Sequence, residues 1–256
     1  MTKSVAIVTG ASSGIGRATA LRLARDFAGI VLVARSGENL AKVSELIQGT
    51  GKASLVIEID LSAPGSAEKV IADTLKRFQR IDALINIAGA VAGLDVFQMT
   101  DDQWESGMAL KFHGARRLAI QAWSALKDSK GSIVFISGNA ADIPKAGSAA
   151  VASINAAIEA LAKAFADRGL EDGIQVNCVS PGAILTSRRL AMLEKAAAAK
   201  SLSLDDMKQT FLKQAGISRF GEPEDIAELM AFAVSPASRF MTGTVLRMDG
   251  GEVKSN

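Results

Sequence analysis

Seven short apolar, β-branched runs recur along this chain of 256 residues, at 4–9, 30–34, 53–59, 83–87, 132–137, 175–180 and 244–249. Most are continuous, as in Val31-Leu32-Val33, with no polar residue at alternate positions. A strand with one wet face alternates, whereas a strand covered on both faces need not. Amphipathic stretches lie between the runs, at 17–26, 39–48, 66–80, 102–124, 149–167 and 224–233. This alternation constrains the chain to an α/β fold: a single-domain, doubly wound parallel sheet of about seven strands with helices on both faces.

The rhythm breaks once. Residues 183–217 hold no strand, only helical sequence rich in Ala, Leu and Lys. Pro181-Gly182 opens the segment and Arg219-Phe220-Gly221-Glu222-Pro223 closes it. A helical insertion after the sixth strand, at the carboxyl end of the sheet, is placed to act as a substrate lid over a ligand crevice. The alternative is a helical hairpin that only thickens the outside. Leu190, Met192 and Leu193 suggest an apolar wall and leave the substrate an unknown small molecule.

Composition removes several chemistries. The chain has ten Phe, two Trp, one His (His113), one Cys (Cys178) and no Tyr. One His cannot build a multi-histidine zinc site and one Cys cannot close an internal disulfide, so no metal site is expected. No mechanism can use a tyrosine hydroxyl of this chain. The balance of 29 Lys+Arg against 27 Asp+Glu leaves +2, too little to suggest a nucleic-acid or membrane partner. The first residues run into a strand without a signal-like apolar core, and no apolar run approaches the roughly eighteen residues of a membrane span. A cytoplasmic location is the expectation.

The sharpest motif follows the first strand: Thr9-Gly10-Ala11-Ser12-Ser13-Gly14-Ile15-Gly16, then a helix. Glycines in that place let the backbone turn tightly and approach a pyrophosphate, whose charge sits at the helix N-terminus. An ordinary tight βα turn is the plain alternative. With this loop the chain resembles the classical short-chain dehydrogenase/reductase family over nearly its whole length. The resemblance implies a Rossmann-type, single dinucleotide-binding domain over 1–256. Asp60-Leu61 sits where the family contacts adenine, and Asn86-Ile87-Ala88-Gly89 resembles the family's Asn-Asn-Ala-Gly, with Ile87 replacing the second Asn. Pro181-Gly182, Ile184 and Thr186 resemble the segment that holds the nicotinamide carboxamide. The stretch from Arg219 to Ala227, and Thr242-Gly243 with Asp249-Gly250-Gly251, match its C-terminal signature.

Physical chemistry bears on which cofactor. A site for NAD places an acid after the second strand to accept from the ribose 2′-hydroxyl. Here Ala34 stands at that position and Arg35 follows, and a guanidinium fork suits a 2′-phosphate. NADP(H) is expected over NAD(H), against the alternative that Arg35 is a solvated loop residue.

The resemblance also implies a catalytic Asn, Ser, Tyr and Lys, and here this sequence departs from it. Aligning Asn155-Ala156-Ala157 with the family's Lys-Ala-Ala puts Asn155 at the Lys position, Val151 at the Tyr, Gly138 at the Ser and Lys111 at the Asn. Losing a positioned general acid typically slows a step by about 10²–10⁴-fold. Lys111 is the candidate substitute, because Asn and Lys have traded places; the alternative is a surface lysine or a neighbour of a carboxylate. His113, two residues on, faces away from it and reads as structural. Ser137, Asn139 and Asp142 follow the fifth strand near the expected crevice, but Ser137, Ser148 and Ser153 lack a base to prime them. Cys178 reads as a packed core residue.

Three readings stay open. One is an NADP(H)-dependent oxidoreductase on a carbonyl/alcohol pair with a non-standard proton donor. Another is a non-catalytic cofactor-binding sensor, scaffold or hetero-oligomer subunit paired with an active relative. The third is isomerisation or elimination on the same fold. The resemblance further implies a homo-dimer or homo-tetramer built on the two long helices.

Overall fold

The structure, a computed structural model, describes residues 4–254. Seven strands form one sheet: β1 (Val5–Thr9), β2 (Gly29–Ala34), β3 (Ala53–Glu58), β4 (Ala83–Asn86), β5 (Ser132–Ile136), β6 (Gln175–Pro181) and β7 (Val245–Met248). Their spatial order is β3-β2-β1-β4-β5-β6-β7 and every neighbouring pair is parallel. Chain order reverses where β1 meets β2 on one side and β4 on the other. Loops leave that point in opposite directions and open a crevice at the strands' carboxyl ends.

Helices α1 (Gly14–Leu23), α2 (Gly37–Gln48) and α9 (Pro223–Ala233) cover one face. Helices α3 (Ser66–Phe78), α5 (Ala115–Ser129) and α6 (Ala149–Asp172) cover the other. Successive strand residues go to opposite cores, which is why the strands read as unbroken apolar runs. Val5, Ile7, Val31 and Val33 pack with Leu118, Ala122 and Ile158. Ala6, Val8, Ile30 and Leu32 pack with Leu23, Leu40 and Met230.

Two long helices depart from the sequence expectation. Residues 101–129 are helical throughout, five residues past the expected end: α4 (Asp101–Gly107), a π-helical segment (Met108–Gly114), then α5. Thr100 and Gln103 start it with a reciprocal capping box. The π segment carries Lys111, and π turns concentrate at functional sites. Helix α6 runs to Asp172 instead of 167, where Gly173 at φ +72° ends it. The stretch Ala146–Asp172 is, by length and composition, long and apolar enough to cross a membrane, which corrects the expectation that no run comes near. Its Ala-rich sequence raises the hydropathy, and Ile158, Ala162 and Ala166 pack into the core against the sheet. Asp172 ties α6 to α5, accepting from Trp123 Nε1 at 2.8 Å and pairing with Lys127 at 2.7 Å.

After β6 come α7 (Ser187–Ala199) and α8 (Leu204–Ala215). They carry a small core of their own in which Leu193, Ala197, Met207, Ile217 and Phe220 are buried, with Phe211 stacked on Phe220 at 5.3 Å. The expected apolar wall is therefore not what these residues form. Leu193 turns into this separate core, and Met192 is 53% exposed.

Candidate active site

The β1 loop is shaped for close backbone approach. Gly10 and Gly14 have φ of +68° and +50°, conformations that side-chain-bearing residues rarely take. A Cβ on Gly16 would lie 2.1 Å from the Gly10 carbonyl oxygen, so only glycine lets α1 start this near the strand. Ser13, at the N-cap of α1, makes no side-chain cap, which leaves the first-turn amides without that partner. Thr9 braces the loop from beneath, its Oγ1 accepting from the Ile87 and Ala88 N–H groups at 2.9 Å each. On β4, Asn86 is 4% exposed, yet neither amide atom of its side chain has a partner. A buried carboxamide with no partner costs about 1–3 kcal/mol, so a polar ligand beside it is the fitting complement. From the far side, Thr186 Cγ2 comes within 3.2 Å of where a Gly14 Cβ would stand, closing the β6 loop over the glycine loop. Gly182 packs more tightly still on Asp249, whose Cα would lie 2.6 Å from a Cβ there, and Ile184 bridges to Gly221.

At the β2–β3 end of the crevice, Arg35 is exposed and its charge helps hold Asp60 below the usual carboxylate range. The larger cause is Ser62, whose N–H and hydroxyl both donate to Asp60 Oδ1, at 2.9 and 2.7 Å. Leu61 is buried beside it. Sequence reasoning missed Glu58. It pairs in register with Ala34, and its carboxylate lies against Gly37, the first residue of α2, where a Cβ would clash. An anion there suits the positive end of α2.

At the other end, Lys111 turns inward from the π segment. Its stem lies along Gly89, whose Cβ would be 3.1 Å from the lysine Cδ. Its Nζ donates to the Ser137 carbonyl oxygen at 3.0 Å and, in a very short contact, to Asn155 Oδ1. Asn155 in turn donates to the Gly138 carbonyl oxygen at 3.3 Å. Burial pulls the Lys111 ammonium down to about 8; nearby Cys178 and Glu159 work against that shift and Arg188 adds to it. Arg188, from α7, donates to the Gly89 carbonyl oxygen at 3.4 Å. Gly138 has φ +154° and ψ 151°, and its Cβ would meet Asn155 Nδ2 at 2.9 Å. Val151 sits one helical turn before Asn155, half-buried.

Residues 10–252 match the family model described as enoyl-(acyl carrier protein) reductase. The chain belongs to the short-chain dehydrogenase/reductase family. The 3-oxoacyl-(acyl-carrier-protein) reductase of Staphylococcus aureus is 29% identical over 253 residues, covering 98% of each chain. The L-sorbose reductase of Gluconobacter frateurii, solved with NADPH and L-sorbose, superposes at a TM-score of 0.95 with 27% identity, covering 100% of this chain and 98% of that one. An NADPH-dependent reductase involved in bacilysin biosynthesis gives 0.93 at 27% identity, covering all of both chains.

The fold brings Lys111 onto Asn155 and Asn155 onto Gly138, so Lys111 is not a surface lysine. Several other candidates are taken up elsewhere. The Ser137 hydroxyl donates to Glu159 Oε1 at 2.7 Å. Asn139 donates to Glu252 at 2.6 Å, and Asp142 pairs with Arg247 at 2.9 Å. Ser148 and Ser153 lie at the surface or partly covered, outside this contact network. His113 stands edge-on to Phe112 with its Nδ1 buried and unpartnered. Cys178 is fully buried, its thiol pushed up to about 12 by burial. Glu159 and Arg188 were not singled out from sequence. Glu159 falls one turn after Asn155 on the same α6 face, a spacing that could have found it.

Proposed function

We propose that this short-chain family member binds NADP(H) and transfers hydride on a carbonyl/alcohol pair without the family's usual Asn-Ser-Tyr-Lys set, Lys111 holding the proton-bearing position. The observation that carries this reading is the Lys111 ammonium seated on Asn155 and the Ser137 carbonyl oxygen, in a chain with no tyrosine. Binding would use the backbone of Gly10, Ser12, Ser13, Gly14, Ile15 and Gly16 for the diphosphate, and Arg35 for the 2′-phosphate. Asp60 and Leu61 would flank adenine. Asn86, Ala88 and Gly89, with Pro181, Gly182, Ile184 and Thr186, would line the rest. When bound, the nicotinamide supplies or accepts hydride.

An ammonium offers three N–H donors. Two of those on Lys111 go to Ser137 and Asn155, and the third is left for a substrate oxygen. A pKa of about 8 lets the group exchange a proton near neutrality. The 183–217 segment would exclude water as a lid. Exposed Ile120 and Leu170 on α5 and α6 favour self-association as a homo-dimer or tetramer. The neighbours' reported NADPH binding favours the phosphorylated cofactor.

Titration of cofactor fluorescence tests the first step, with NADPH expected to bind more tightly than NADH. NADPH oxidation across ketones and aldehydes then tests turnover. If Lys111→Met leaves the rate unchanged, the proton-donor role fails. A second reading, a non-catalytic sensor, scaffold or hetero-oligomer subunit, is favoured by one observation: apolar Val151 stands where a hydroxyl would act. Tight NADPH binding with no turnover on any carbonyl would select it.

A further inference from the structure

Two cations from separate elements flank one glycine at the reacting end. Lys111 lays its stem along Gly89 from the π segment, and Arg188 reaches the Gly89 carbonyl oxygen from the first turn of α7. They are close enough for the arginine's charge to be felt at the lysine, and neither forms an ion pair within 4 Å among the described residues. The carboxylate that Lys111 does sense, Glu159, is already engaged by the Ser137 hydroxyl. Like charges held together in a partly desolvated crevice repel, and an anion between them removes the cost.

The donor inventory agrees. Arg188 spends one long bond of its five donors on Gly89 and keeps the rest for an anion, while the one uncommitted N–H of Lys111 stays with the reacting oxygen. Beside Arg188 a shallow cavity is lined by Ala90, Val91, Asp102, Gln103 and Ser106. Arg189, next along α7, does not join the pair; its guanidinium lies over the Phe211 ring at 5.3 Å.

We infer that the substrate carries a carboxylate, held by Arg188 beside Gly89 in the field of Lys111, with its reacting carbonyl directed to the free Lys111 N–H and the cofactor crevice. The inference rests on the cofactor reading above. The same anion pocket could serve the cofactor's diphosphate, and the test separates the two sources. Acetoacetate and methyl acetoacetate differ in that one charge. Each is titrated calorimetrically into the NADPH-loaded protein and into the apo protein.

The acid is expected to bind the loaded protein about tenfold more tightly than the ester, a difference of ~1.4 kcal/mol. Arg188→Gln, at an exposed position, is expected to bring that ratio below about twofold, and Arg188→Lys to retain most of it. NADPH affinity of Arg188→Gln is expected to stay within about twofold of the unaltered protein. Equal affinity for acid and ester in both forms overturns the inference. So does an Arg188→Gln variant that loses NADPH affinity and keeps its acid preference, since the anion is then the diphosphate. Absence of NADPH binding by the unaltered protein defeats the cofactor reading instead, and an acid preference in the apo protein would still stand on its own.

Discussion

Burying the Lys111 ammonium among neutral oxygens costs the fold stability, and the cost has a pH signature. Burial holds the folded group near 8 against an ordinary 10.5. Below about 8 both states carry the proton and the penalty is complete. Between 8 and 10.5 the unfolded chain binds more protons than the folded one, so stability from this group rises with pH. Lys111→Met should therefore stabilise the protein at pH 7 by about 1–3 kcal/mol, and the gain should shrink by pH 10. Urea unfolding at the two pH values checks this; an equal gain at both would contradict it. Glu58 supports a second expectation. Its carboxylate lies at the α2 N-terminus against Gly37, two residues along the chain from Arg35, where a 2′-phosphate held by Arg35 would feel it. Glu58→Gln should tighten NADPH by about threefold to tenfold and leave NADH nearly unchanged, read by fluorescence titration. The glycine loop was legible because each glycine answers to a local backbone demand. Glu58 was not, since its importance depends on a strand neighbour 24 positions away, Ala34, whose pairing the sequence does not display.

At the scale of elements, the Lys–Asn exchange links two helices, and it predicts how the family's set can be restored. Asn155→Lys alone would bring a second ammonium to the place where Lys111 already donates. Gly138→Ser adds strain at φ +154°, of about 1–3 kcal/mol. A Val151→Tyr, Gly138→Ser, Asn155→Lys triple variant should thus melt lower than the starting protein and show little turnover. Adding Lys111→Asn should recover stability and yield the larger rate of NADPH oxidation. A triple variant as stable and as active as the quadruple one would refute the coupling. Strand positions were readable because a doubly covered sheet leaves continuous apolar runs. The π segment was not, because nothing in the residue types of Met108–Gly114 marks a wider turn, and an α period read through it turns side chains to the wrong angle. That turn sets the angle at which Lys111 enters the site, so the contact with Asn155 could not be read from spacing.

Across the whole molecule, the sheet has two large cores while the 183–217 segment rests on a small third one. Segments with few buried contacts open first. Amide exchange should be faster in α7 and α8 than in β1, β4 or β5, and NADPH should slow it in α7 through Thr186, the N-cap of that helix. At a hundredfold excess over Kd the cofactor should add about 2.7 kcal/mol to unfolding. Exchange in α7 unaffected by NADPH would argue against its closing over the cofactor. The bond from Trp123 to Asp172 has a practical consequence. With no tyrosine, the chain's near-ultraviolet emission comes from two indoles alone. Trp123 is pinned between α5 and α6, whereas Trp104 stands on α4, the helix whose Gln103 and Ser106 line the cavity beside Arg188. Trp123→Phe would leave Trp104 as the one native lamp, on the helix that borders the cavity, so that a ligand entering there can be followed without any added label.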